Sequence, residues 1–218
     1  MSRNEYYETM RALAREKRAE FNVETATLNL HVMRRIYRSE GIRLDSWPLQ
    51  GWRVRAAYFT DVNGASVLVK KDLPREPKLF ALAHELKHHF VDRPEIADRR
   101  HECAEHNQSD MIEVGADVFA AEFIYPEEEI RALAIQLEIQ SGAATPELVV
   151  RFKHECRARI SYQSLVKSLA RLGFLDLGMT KGIQWTKLEE SIFGTPIHKQ
   201  EWFQKNRAAR KGRRLPAK

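Results

Sequence analysis

Residues 84–88 read His84-Glu85-Leu86-Lys87-His88, two imidazoles four positions apart with a carboxylate directly after the first. On an α-helix, positions i and i+4 differ by about 40° in azimuth and about 6 Å in height, so both rings project from one face and can converge on one ion. Glu85, one step round, reaches the flank of that ion. Two neutral imidazoles with a carboxylate beside the reacting water is the arrangement a zinc hydrolase requires. The flanking residues Phe80, Leu82, Leu86 and Phe90 are apolar, which predicts a buried helix rather than two histidines on a surface.

A catalytic zinc takes a third protein ligand and leaves one position open. The best candidate is Glu113, which begins a helix rich in Ala and Phe. Asp117 lies one turn further on the same face and suits a carboxylate that holds a histidine N–H and fixes its tautomer. The remaining candidates have weaker spacing. His89 is five positions from His84 and points away from the site. His101 and His106, with Cys103 between them, are also five apart and read as a solvated connection. His154 and Cys156 diverge on a helix, and Cys156 reads as core.

The elements that must position these groups follow from periodicity and punctuation. Apolar residues at helical spacing predict helices over residues 3 to about 39, with Thr25 or Thr27 capping the second and Gly41 ending it. WRVRAAYF and ASVLVKK flank Asn63-Gly64 and predict an antiparallel hairpin, with Ile42 to Leu44 as a third strand. Helices are predicted from Lys78 to Val91, from 110 to 124, and from Pro126 until Gly142. Thr145-Pro146 and Ser161 open two more, joined by a tight turn in a helix-turn-helix-like unit. The expected organisation is a helical region at 1–40, a core at 41–142, the helix-turn-helix-like subdomain at 143–177 and a basic extension at 178–218.

The chain has 218 residues, of which 43% are hydrophobic, enough for a packed core. No apolar run approaches the length of a membrane span, and the first twenty residues lack the apolar centre of a secretory signal. Two cysteines are too few for a disulfide framework and suit a cytoplasmic setting. The net charge of +6 is concentrated at one end. Residues 205–218 hold seven basic residues and no acidic one, and the remainder has 29 basic against 30 acidic. Such a tail is expected to be disordered and is a possible nucleic-acid contact.

LFALAHELKHHF followed by IEVGADVFAAEFIYP resembles the ImmA/IrrE family of zinc-dependent metallopeptidases, over roughly residues 20 to 175. The resemblance implies an α+β fold with a gluzincin-like core, a small antiparallel sheet and helices bearing the ligands. It implies His84, His88 and Glu113 as ligands to Zn2+ (or another divalent ion such as Mn2+) and Glu85 as the catalytic residue. It further implies cleavage of a helix-turn-helix repressor, relieving repression in a mobile element or stress response. Two positions depart from the family pattern. Lys87 replaces a usual Gly and places a cation near the mouth, where it could alter substrate preference. Asp117 replaces a usual Asn and could itself join the metal. Tyr58, Tyr125 and His106 are candidates for stabilising the oxyanion. Two other readings compete: a non-proteolytic DNA- or protein-binding regulator, and the toxin-like member of a toxin–antitoxin pair.

Overall fold

The structure, a computed structural model, describes residues 2–48, 54–98, 111–196 and 199–200. Helix α1 (Arg3–Glu20) opens on Ser2, whose hydroxyl accepts from Glu5 N–H while the Glu5 carboxylate accepts from Ser2 N–H. Helix α2 (Leu30–Ser39) opens on Asn29, whose side-chain oxygen accepts from the His31 and Val32 N–H groups. The caps expected at Thr25 and Thr27 are not there. Thr25 is buried and donates to Glu129 while accepting from Arg18, and Thr27 donates to the Glu24 carbonyl. Gly41 ends α2 at φ +66°, a conformation that favours glycine.

Three strands follow: β1 (Arg43–Trp47), β2 (Ala56–Asp61) and β3 (Gly64–Lys70), in spatial order β1-β3-β2. β2 and β3 form the expected antiparallel hairpin about Asn63-Gly64, with Gly64 at φ +112°. β1 corrects the expectation of an all-antiparallel sheet, because it runs parallel to β3 from Arg43 opposite Ser66 to Trp47 opposite Lys70. A two-residue turn dictates direction only for the strands it joins, and β1 reaches β2 through a longer connection that permits either sense. Ala65, Val67 and Val69 on β3 and Ala56 and Tyr58 on β2 bury one face of the sheet.

Helix α3 (Arg75–Lys87) passes into a π-helical turn (His88–Asp92) and then α4 (Arg93–Asp98). Helix α5 (Met111–Ile124) lies against α3. Helix α6 (Glu127–Gln136) carries Glu127, Glu128 and Glu129 in its first turn, where the helix dipole favours them. It ends before Gly142, the expected stop, because Glu138 takes a left-handed conformation at φ +55° and buried Ile139 donates back to the Ala134 carbonyl. Helices α7 (Pro146–Glu155) and α8 (Tyr162–Arg171) are capped by Thr145 and Ser161 as expected. A 3₁₀ turn (Leu177–Thr180) and α9 (Trp185–Phe193) complete the described chain and were not foreseen. Trp185 stacks on Tyr162, and Phe193 on His154, so aromatic contacts hold this segment to α7 and α8.

One continuous apolar cluster runs from Tyr6 and Met10 on α1 through Leu82 and Leu86 on α3 and Phe119 and Phe123 on α5. It extends to Phe152 on α7 and Leu165 and Leu169 on α8. α1 lies along α5 in unusually close contact. A Cβ at Gly115 would stand 2.5 Å from the Tyr6 ring, so only glycine admits it. Arg15 pairs with buried Glu122 at 2.9 Å, and Arg18 donates to the Phe123 carbonyl at 2.6 Å. α1 thereby clamps the helix that carries Glu113.

Candidate metal centre

α3 presents His84, and the π turn that continues it presents His88, on the face turned to α5, and α5 presents Glu113 and Asp117 back. The ligand atoms of His84, His88 and Glu113 all lie within 4.8 Å of one another. His84 Nε2 is 3.2 Å from His88 Nε2 and 3.2 Å from a Glu113 oxygen, and His88 Nε2 is 3.5 Å from the other Glu113 oxygen. A tetrahedral ion about 2 Å from each ligand requires neighbouring ligand atoms about 3.3 Å apart, so the spacing fits a cation such as zinc.

The outer ring nitrogens are also held. His84 Nδ1 is 2.9 Å from Asp117 Oδ1, and His88 Nδ1 is 2.7 Å from Asp92 Oδ2. Each Nδ1–H donates to a carboxylate, which leaves Nε2 of both rings for a metal. Burial disfavours a charged His84 ring. The hydrogen bonds to Asp117 and Glu113 and the nearby Glu85 charge outweigh that, and its pKa is pushed up to about 10. The pocket therefore concentrates negative potential where a cation would sit. Asp117 occupies the outer position on His84, the place expected for a carboxylate that orients the ring.

Glu85 is 3% exposed and lines the cleft beside His84. Behind it, Tyr37 on α2 is buried and donates to the Leu82 carbonyl at 2.7 Å. Burial and the Glu85 charge hold the Tyr37 phenol well above its usual range.

Asp92 was missed in the sequence reading. It lies four residues after His88, ordinary helical spacing, and five after Lys87, a separation that the i→i+5 pattern of the π turn accommodates, so one carboxylate oxygen meets both, with Lys87 Nζ 2.7 Å away. The signal was present as an acid four places after His88 and five after Lys87, within an aromatic run. This also corrects the expectation for Lys87. It is fully buried, not at the mouth, donates to the Ile112 carbonyl at 3.2 Å and lies over the Tyr6 ring. The helix turns residue 87 away from the cleft and onto the face covered by α5 and α1.

His89 is buried on the side away from the cleft, with Nδ1 3.0 Å from the Tyr58 hydroxyl. Burial, with Arg93 and Lys17 nearby, lowers its pKa. Tyr58 is thereby engaged behind the motif helix, whereas Tyr125 lines the cleft. Cys156 is buried, forms no disulfide among the described residues and donates to the Lys153 carbonyl. His101, Cys103, His106 and the basic tail fall outside the described residues.

A family model for the IrrE N-terminal-like domain of peptidase family M78 matches residues 38–154, more than half of the chain. The chain belongs to the ImmA/IrrE family of metallopeptidases. The match begins at the end of α2, so α1 lies outside it although α1 packs on α5. The family's metal dependence agrees with the His84, His88 and Glu113 cluster. Comparison with curated proteins gave no match.

Proposed function

We propose that this protein is a zinc metalloendopeptidase that cleaves a helix-turn-helix transcriptional repressor in the cytoplasm and so relieves repression. The observation that carries the peptidase reading is the convergence of His84, His88 and Glu113, with His84, Glu113 and Glu85 at the wall of one cleft. The choice of a repressor rests on the family resemblance. A cation held by those three residues supplies Lewis acidity, which acidifies water and polarises a carbonyl.

The protein's own groups perform the remaining steps. Asp117 and Asp92 keep both rings oriented with Nε2 toward the centre. Glu85 accepts the proton of the attacking water and passes it to the leaving amine. Its burial limits competing water contacts. The cleft is about 1440 Å³, larger than the usual small-molecule pocket, and suits a polypeptide segment. Val54 to Ala56, the lead into edge strand β2, line it, and an extended substrate backbone can pair along that edge.

The test uses purified protein, a divalent metal and the helix-turn-helix regulator encoded nearest to its gene. Cleavage at one position is expected, abolished by Glu85→Gln with metal content retained. Cutting by the Glu85→Gln protein would overturn the role given to Glu85. An intact regulator with metal-loaded wild type would overturn the substrate.

A further inference from the structure

The cleft has an uneven charge inventory. Beside Glu85, its acidic residues are held by partners in the fold: Glu113 and Asp117 face the histidines, Glu76 pairs with Lys153 at 2.9 Å, and Glu122 pairs with Arg15. Two of its cations are likewise engaged, since Arg11 and Arg171 both meet Glu127. Arg55, Arg159 and Lys167 also line the cleft and are exposed, and none has an ion-pair partner among the described residues. Arg55 comes from the lead into β2, Arg159 from the turn before α8 and Lys167 from α8 itself.

We propose that these three cations select a substrate segment carrying acidic side chains, bound across the cleft between the start of β2 and α8. The inference rests on the peptidase reading for the cleft's purpose, but the binding it describes stands apart from cleavage. A peptide whose carboxylates meet Arg55, Arg159 and Lys167 completes three charges that have no ion-pair partner among the described residues. Its backbone is then carried past His84 and Glu85, which line the same cleft. α8 thus serves as a cleft wall, with Ser161, Ser164 and Lys167 turned inward. A nucleic-acid strand is the less fitting occupant, because Glu85, Glu113, Asp117 and Glu122 line the same cleft and would oppose phosphates.

The test is fluorescence anisotropy of the full-length Glu85→Gln protein with labelled dodecapeptides of Ala, Leu and Gly that differ in three positions: all Glu, all Gln or all Lys. Exposed ion pairs are individually weak, so the expected preference for Glu over Gln is about tenfold in Kd, reduced by added salt. In R55E/R159E/K167E the order reverses to favour the Lys peptide, an outcome that misfolding cannot produce. The same peptides are offered to wild-type protein for cleavage. Acidic preference in binding, with the neighbouring regulator left intact by metal-loaded wild type, retains this inference and removes the repressor-cleaving reading. Cleavage with no difference among the three peptides overturns the inference and retains the peptidase. Tighter binding of a DNA duplex than of the Glu peptide, lost in the triple variant, also overturns it.

Discussion

One oxygen of Asp92 lies 2.7 Å from Lys87 Nζ and 2.7 Å from His88 Nδ1. A single buried carboxylate therefore serves as counter-ion to an ammonium with no solvent exposure and as the brace of a candidate metal ligand. Removing one member of a buried ion pair leaves the other uncompensated, which costs about 3–5 kcal/mol. Asp92→Asn should lower the urea-unfolding stability of metal-free protein by that order. It should also weaken metal affinity about 10- to 100-fold, because the His88 ring loses its brace. Lys87→Met should give a similar loss of stability with a smaller effect on metal. Chelator competition beside urea curves separates the two, and a stability change under about 0.5 kcal/mol in either variant would contradict the pairing.

The raised pKa of His84 has a sign that can be measured. In metal-free protein the ring stays protonated up to about pH 10, since Asp117, Glu113 and Glu85 together overcome its burial. Its contribution to metal-free stability is fully present below the unfolded value near 6.5 and is lost as pH rises through about 10. A metal must displace that proton. Calorimetric titration at pH 7.5 in buffers of different ionisation enthalpy should therefore show release of about one proton from this group. Apparent metal affinity should rise with pH from 7 to 9. Uptake of metal with no proton release would show that His84 is neutral beforehand.

Much of the site was legible because local rules governed it. The four-residue spacing of His84 and His88 sets their common face, and Glu113 and Asp117 share one face of α5 for the same reason. The hairpin followed from Asn63-Gly64. What was not legible depended on departures from regular geometry or on distant partners. A π turn is not announced by periodicity, so the meeting of Lys87 with Asp92 five residues on went unseen, and Lys87 was assigned to the mouth because the burial of its face depends on α5 and α1. The parallel sense of β1 is fixed by tertiary packing with no turn to signal it. Thr25 has the chemistry of a cap, yet Arg18 and Glu129 claim its hydroxyl. α9 is held by Trp185 and Phe193, contacts that only the folded chain brings together.

Gly115 lies midway between Glu113 and Asp117 and admits the Tyr6 ring at a distance no Cβ would allow. Gly115→Ala must push α1 and α5 apart or turn a buried tyrosine. Overpacking of this kind costs about 1–3 kcal/mol, and the shift would be felt at both flanking carboxylates. Thermal denaturation should show the loss, accompanied by weaker metal binding. Tyr6→Ala in the same background should restore metal affinity toward wild type, although its own cavity keeps stability low. If Gly115→Ala binds metal and melts as wild type does, the contact is not as tight as described.

The cluster joins two helical segments through side chains alone, His84 on α3 and His88 on the π turn that continues it against Glu113 on α5, and that makes metal a stabiliser of the fold. A ligand that binds only the folded state adds RT ln(1 + [L]/Kd), about 2.7 kcal/mol at a hundred times Kd. For a chain of this size such a term moves Tm by roughly 5–10 °C. Dialysis against a chelator should therefore lower the Tm of wild type by that amount, and readdition of Zn2+ or Mn2+ should restore it, the larger recovery marking the preferred ion. Glu113→Ala keeps both histidines but loses the α5 contribution, so chelator should shift its Tm far less. Equal melting of wild type with and without chelator, at every metal concentration tried, would mean that the three side chains converge without holding an ion.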